Sequence, residues 1–130
     1  MGYQILIVED DQWIAESLSE MLEVLNHDVV SVVDSYDAAI TMLEEVKVEI
    51  ALLDIQIRGE KTGIDLAEKI KNDYHIPFIF TTAYADKETI KKASVQSPYG
   101  YLVKPYGMKD ISVSFDFAIE NHRFISGITG

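Results

Sequence analysis

A single doubly wound α/β domain, a five-stranded parallel sheet with five helices, is the fold class this sequence predicts, and three observations predict it. Apolar runs of strand length alternate five times with stretches of helical period. The runs are nearly continuous Val, Ile and Leu, the composition of strands buried on both faces of a parallel sheet. The connections between them are short, as repeated βαβ units require.

The first strand is expected at Gln4–Val8, where four branched aliphatic residues precede Glu9-Asp10-Asp11. A helix follows, with Ile14, Leu18, Met21, Leu22 and Leu25 on one face. Trp13 opens that helix beside the acids and is expected to pack. The second strand covers Asp28–Val33. Ser35 is a candidate N-cap for a helix burying Tyr36, Ala39, Ile40 and Leu43. Strand three is expected at Glu49–Leu53, and Thr62 opens a helix with Ile64, Leu66, Ala67 and Ile70 inward. Strand four covers Pro77–Thr81 and leads to a short, mostly polar helix, Asp86–Ser94. Strand five covers Tyr99–Val103. The last helix runs from about Met108 to Ile125 and stops before Gly127.

On that last helix Met108, Ile111, Phe115, Ala118 and Ile119 form the core face at 100° per residue. Val113, Phe117 and Phe124 fall nearly opposite, a second apolar stripe that suits a partner surface. Met21, Met42 and Met108 are expected to fill the core. His27, His75 and His122 have no metal-ligand spacing and are expected at the surface or at helix ends. No linker, repeat or low-complexity tract interrupts residues 1–130, so one flavodoxin-like domain is expected.

Composition narrows the function. Hydrophobic residues at 48% and charged residues at 25% are ordinary for a globular protein. The absence of cysteine excludes disulfides, thiolate nucleophiles and zinc-thiolate sites. Twenty-two acids against 11 bases give a net charge of −11, which repels phosphate backbones and anionic membranes. The one basic cluster, Lys87 with Lys91 and Lys92, is interleaved with Asp86 and Glu88. Direct nucleic-acid or membrane binding is not expected. The N-terminal apolar run is too short for a signal peptide or a span, and a cytoplasmic location is expected.

The chemistry sits at the strand ends. Open α/β sheets bind ligands beyond the carboxyl ends of their strands, where the strand order reverses. Here strand one ends at Glu9-Asp10-Asp11, strand three at Asp54, strand four at Thr81-Thr82 and strand five at Lys104-Pro105. Any of these alone would be a solvated loop, a cap or a turn. Together they bring acids, a hydroxyl and an amine to one edge. Close carboxylates need a counter-charge, and Mg²⁺ accepts one or two of them with waters and a phosphoryl oxygen. With Lys104 as a second cation, these are the parts of phosphoryl transfer to an Asp oxygen.

The segments ILIVEDD, ALLDIQIRG, TGIDLAEKI, PFIFTTAYAD and YGYLVKPY resemble the receiver domain of two-component response regulators, the CheY-like family, over about Gln4 to Phe124. The resemblance implies that Asp54 accepts a phosphoryl group from a histidine kinase or a phosphotransfer protein. It implies Mg²⁺, or Mn²⁺, held by Asp10 and Asp54 directly, by Glu9 through water and by the backbone carbonyl of Gln56. Thr82 would be the switch hydroxyl, with Thr81 turned to the other face, and Tyr101 the switch aromatic. Lys104 would bind the phosphoryl oxygen, and its bond to Pro105 would be cis. Gln56 and Tyr84 would occupy the positions that set phosphoryl lifetime, a bulky Tyr84 favouring a long-lived acyl phosphate.

The loop IQIRGEKT is one residue longer than in common members, and Arg58 stands where they usually have Pro. Phosphorylation would move the helix 4–strand 5–helix 5 face, which would engage an output domain, an effector or a second copy. The chain would not be an enzyme beyond its own phosphoryl transfer and dephosphorylation. A haloacid-dehalogenase phosphohydrolase needs a second Asp where Gln56 stands. A flavodoxin needs hydroxyls where Glu9-Asp10-Asp11 would repel phosphate. A receiver-like module that works without phosphorylation is the nearest rival.

Overall fold

The computed structural model describes residues 2–83 and 86–129, with side chains described through residue 122. The strands are β1 (Gln4–Val8), β2 (Asp28–Val33), β3 (Ile50–Asp54), β4 (Phe78–Thr82) and β5 (Tyr101–Val103). The helices are α1 (Gln12–Val24), α2 (Tyr36–Glu45), α3 (Gly63–Lys69), α4 (Lys87–Ser94) and α5 (Met108–Thr129). The sheet order is β2-β1-β3-β4-β5 and every pairing is parallel. The chain moves outward from β1 to β2, then returns past β1 to β3. The order therefore reverses between β1 and β3, where a crevice opens at the carboxyl edge.

Period-two alternation divides the core into two layers. Leu6, Val8, Ala51, Leu53, Phe78 and Phe80 pack under α2, α3 and α4, against Leu43, Leu66, Ala67 and Ala93. Ile5, Ile7, Ile50, Leu52, Ile79 and Leu102 face α1 and α5, against Leu18, Leu22, Ile111 and Phe115.

The third acid of the opening run serves the fold. Asp11 is the N-cap of α1, its Oδ1 accepting the N–H groups of Trp13 at 2.9 Å and Ile14 at 3.2 Å. Ser35 and Thr62 cap α2 and α3 as their sequence contexts predict, and Thr62 forms a reciprocal capping box with Asp65.

Several boundaries and environments differ from the sequence expectations. Strand β3 reaches Asp54 and β4 reaches Thr82, one residue further along than expected in each case. Pro77 lacks an N–H, and only its carbonyl joins the ladder, accepting from Ala51 at 3.1 Å. Strand β5 begins at Tyr101, because Pro98 and Gly100 are poor strand formers. Past α3 the chain makes a π-helical turn, Ile70–Tyr74, that ends at a left-handed His75, φ 56°. Helix α5 runs through Gly127, which a helix carries at a cost of about 1 kcal/mol rather than an obligatory break.

Trp13 is 83% exposed, since it lies about 200° round the helix from the buried Ala15. Met108, at the first position of α5, is exposed rather than in the core. His27 is half-buried, where its Nδ1 accepts the Tyr3 N–H at 3.1 Å and its ring packs on Phe115.

Gly63 is the tightest backbone approach near the sheet edge. A Cβ there would lie 2.0 Å from the Asp54 carbonyl oxygen, while the Gly63 N–H donates to Ile55 O at 2.8 Å. Only glycine fits without moving the end of β3. Gly63→Ala should therefore cost at least about 2 kcal/mol in urea denaturation, as overpacking against rigid backbone does. A variant as stable as the parent would contradict this packing.

Candidate functional site

The alternation that fills the core also aims the polar residues. Ile7, Leu52 and Leu102 face α1 and α5, so two residues further on Glu9, Asp54 and Lys104 point to that same side at the strand ends. Register pairs Val8 with Leu53, which sets Glu9 beside Asp54 across the reversal point. The Lys104 N–H donates to Thr82 O at 2.8 Å, anchoring the base of that side chain to the end of β4.

At the centre, the Lys104 ammonium bridges two carboxylates. Its Nζ lies 2.6 Å from Glu9 Oε1 and 2.8 Å from Asp54 Oδ2. Both acids are buried, Glu9 at 4% and Asp54 at 6% exposure. Their other oxygens accept backbone N–H groups, Glu9 Oε2 from Asp11 at 3.1 Å and Asp54 Oδ1 from Gln56 at 3.0 Å. Asp10 is exposed beside them, and carboxylate oxygens of Glu9, Asp10 and Asp54 lie within 4.8 Å of one another.

The electrostatics follow from burial. Desolvation raises the Glu9 carboxyl to about 7, and its hydrogen bond with Asp54 adds to the rise while Lys104 opposes it. Burial pulls the Lys104 ammonium down, but its bonds to Asp54 and Glu9 outweigh that and hold it above the usual lysine range. One ammonium cannot balance three carboxylates. The group fits a hard divalent cation, because all its donors are oxygens and it retains excess negative charge when ionised.

The other predicted residues are distributed as follows. Thr82 is buried and pairs in register with Val103. By alternation it shares its face with Phe80 and Tyr101, not with Asp54. Thr81 is equally buried. The Tyr101 hydroxyl donates to Ile90 O at 3.2 Å, lies 3.2 Å from Ser94 Oγ, and its ring is 5.9 Å from that of Phe80. The Lys104–Pro105 peptide is cis. Gln56 is exposed. Val113 and Phe117 are 59% and 64% exposed on α5. Tyr84 and the side chain of Phe124 lie outside the described residues.

Two features had no clear signal in the sequence. The Tyr106 hydroxyl is buried without a hydrogen-bond partner among the described residues and is pushed up to about 12 by burial. It borders an apolar cleft of about 450 Å³ with Trp13, Ile14, Met21 and Pro105. The loop after β3 is tied to the loop after β2 through Arg58, Asp34 and Ser35.

The profile of the response regulator receiver domain matches residues 5–116. Transcriptional regulatory protein CrdR of Helicobacter pylori is 34% identical over 113 residues, 85% of this chain and 52% of that protein. Transcriptional regulatory protein PdtaR of Mycobacterium tuberculosis is 26% identical over 127 residues, 98% of this chain and 62% of that protein. The chain thus spans between about half and three-fifths of the length of these curated relatives. The signal receiver domain of a modulated diguanylate cyclase from Desulfovibrio desulfuricans G20 superposes with TM-score 0.89 at 32% identity, covering 95% of this chain and 98% of that one. A CheY-like receiver domain protein from Methanospirillum hungatei JF-1, at 24% identity and TM-score 0.83, shares the fold over 95% of this chain and 98% of its own.

A raised Glu9 carboxyl has a consequence for metal-free protein. The folded state holds this proton more tightly than the unfolded chain, so the linked stability is complete below about 4.5 and lost as pH rises through about 7. Urea midpoints in EDTA between about pH 5 and about pH 8 should fall more for the parent than for Glu9→Gln. Parallel profiles for the two proteins would refute the assignment.

Proposed function

The chain belongs to the response regulator receiver family, and from that premise we propose that Asp54 is its phosphoacceptor in a divalent-cation-dependent transfer from a phosphohistidine. The observation that carries this reading is the Lys104 bridge between Glu9 and Asp54, with Asp10 within 4.8 Å. Asp10, Asp54 and the Gln56 carbonyl would hold Mg²⁺ or Mn²⁺, with Glu9 acting through water. When bound, the cation supplies positive charge to the phosphoryl oxygens.

The rest is the work of this chain's own groups. An Asp54 oxygen attacks phosphorus as the P–N bond to the donor imidazole breaks, and the imidazole leaves with that electron pair. Lys104 holds Asp54 in place beforehand and meets the added charge afterwards without crossing a barrier of water. Burial of Asp54 keeps the approach dry on the sheet side.

Thr82 supplies the switch. A phosphoryl oxygen on Asp54 draws the Thr82 hydroxyl round the end of β4 into a charge-assisted bond, and space opens on the face that Thr82 leaves. Tyr101 shares the Thr82 face and is the side chain placed to respond. Its hydroxyl leaves or keeps the Ile90 carbonyl, and α4 shifts with it. The face with exposed Val103, Val113 and Phe117 then engages an output domain, an effector protein or a second copy. A net charge of −11 argues for a protein partner on this surface rather than nucleic acid. A sensor kinase acting on this chain places it on the cytoplasmic side, and among the described residues no helix is long and apolar enough to cross a membrane.

Intact mass after acetyl phosphate and Mg²⁺ tests the core of the proposal. One phosphate should appear on the parent, and none on Asp54→Asn or on the parent in EDTA. Label on Asp54→Asn would move the acceptor elsewhere, and no label on any protein would favour a module that works unphosphorylated. Thr82→Ala should still accept phosphate yet lose the accompanying amide shifts in α4 and β5; retention of those shifts would remove Thr82 from the switch.

A further inference from the structure

The loop from Ile55 to Thr62 joins β3 to α3 and carries Gln56, whose carbonyl the proposed function assigns to the cation. Seven exposed or half-exposed residues, 56–62, would ordinarily leave such a carbonyl poorly oriented. Here the loop is fastened at both ends and in the middle. At its start, Ile55 N–H donates to Thr81 O at 3.1 Å and Gln56 N–H to Asp54 Oδ1 at 3.0 Å. At its end, Thr62 caps α3 and Gly63 N–H closes on Ile55 O at 2.8 Å.

The middle fastening is unusual because it crosses to another connection. Arg58 N–H donates to Asp34 O at 3.0 Å, and Ser35 and Arg58 form an isolated parallel β-bridge. The Arg58 Nε lies 3.6 Å from Asp34 Oδ2, and Lys61 sits 4.3 Å over the Tyr36 ring. Gly59, at φ 100°, lets the chain turn away immediately after the bridge. Arg58 and Asp34 then form one wall of a cleft of about 600 Å³ whose other walls include Glu9, Asp10 and Asp11.

We propose that the main-chain bridge from Arg58 to Asp34 is a clasp that positions the Gln56 segment at the acidic pocket, so that cation affinity in this chain depends on it. The backbone bond does the positioning. The ion pair is wide, and at 71% and 47% side-chain exposure it adds little. The inference rests on the cation reading of the site, and Arg58 is a positioning residue within it.

The chemistry separates main chain from side chain. Arg58→Ala keeps the N–H and loses only the guanidinium. Arg58→Pro removes the donor itself. A group that orients a metal ligand typically matters by a factor of about 10–100 in affinity. Coupling between clasp and cation must also be reciprocal, so the bound ion has to strengthen the clasp by the factor the clasp strengthens binding.

The test titrates Mg²⁺ and Mn²⁺ into the full chain by calorimetry and by fluorescence of Trp13, which is exposed beside the pocket. Arg58→Pro should bind about tenfold more weakly than the parent, the low end of that range, while Arg58→Ala stays within about twofold. In the parent without metal, the Arg58 amide should exchange with solvent more slowly than those of Gly59 and Glu60, and Mg²⁺ should slow it further. Equal affinity for parent and Arg58→Pro overturns the clasp, as does an Arg58 amide that exchanges like its neighbours or ignores Mg²⁺. If Arg58→Pro does not fold, the exchange measurement on the parent decides by the same criteria. A parent that binds neither ion overturns the clasp and the cation reading together, whereas binding without the clasp effect leaves that reading intact.

Discussion

Everything at the carboxyl edge of the sheet depends on a charge balance that one lysine cannot complete. The Lys104 ammonium is 2.6 Å from Glu9 and 2.8 Å from Asp54, both almost fully removed from water. Buried carboxylates are tolerable only when paired and hydrogen-bonded. The backbone N–H groups of Asp11 and Gln56 satisfy the remaining oxygens, and Lys104 satisfies the nearer ones. With Asp10 added, the group still lacks positive charge, which is the deficit that the proposed cation would meet. The lysine holds the two carboxylates together at the strand ends.

That balance is cheap to build because the sheet imposes it. Strands β1, β3 and β4 are buried on both faces and β5 keeps Leu102 in the core, so a one-residue slip would turn Ile7, Leu52 and Leu102 out of their layer. Register protected by the core is therefore register protected for Glu9, Asp54 and Lys104. The helices contribute at their starts, with Asp11 capping α1 directly after the pocket and Thr62 capping α3 directly after the loop. Gly63 allows α3 to begin against the main chain of Asp54, so β3 and its following helix share one tight contact.

Fold class and the central residues were legible in the sequence because they rest on short-range rules. Strands of Val, Ile and Leu announce double-sided burial, and polar residues directly after them mark one edge. The boundaries of β3 and β4 were less legible, since parallel pairing extends through Asp54 and Thr82 once neighbours supply partners. Trp13 and Met108 were misread because an apolar residue at a helix start can face either way, and rotation about the axis is decided by the later turns. The bridge between Arg58 and Asp34 left almost no trace, because main-chain hydrogen bonds between two loops carry no side-chain signature. Only the extra residue in the loop and an Arg at a position where the family usually has Pro hinted that this connection runs differently.

The energetics of the proposed switch limit how it works. A charge-assisted hydrogen bond contributes about 1.5–3 kcal/mol, which moves an equilibrium by one to two powers of ten. Carrying a population from one in a hundred to ninety-nine in a hundred needs about 5.5 kcal/mol, more than a bond from Thr82 supplies. The resting arrangement must therefore be held by a thin margin, and α4 is built for that. Ala93 is its one fully buried residue, and its remaining surface is exposed or half-exposed. The contacts that tie it to β5, from the Tyr101 hydroxyl to Ile90 O and to Ser94 Oγ, each at 3.2 Å, are long bonds between neutral groups, worth about 1 kcal/mol apiece. An element so lightly docked beside a rigid, fully buried β4 is the one that a modest change at Asp54 can displace while the sheet that defines the pocket stays unaltered.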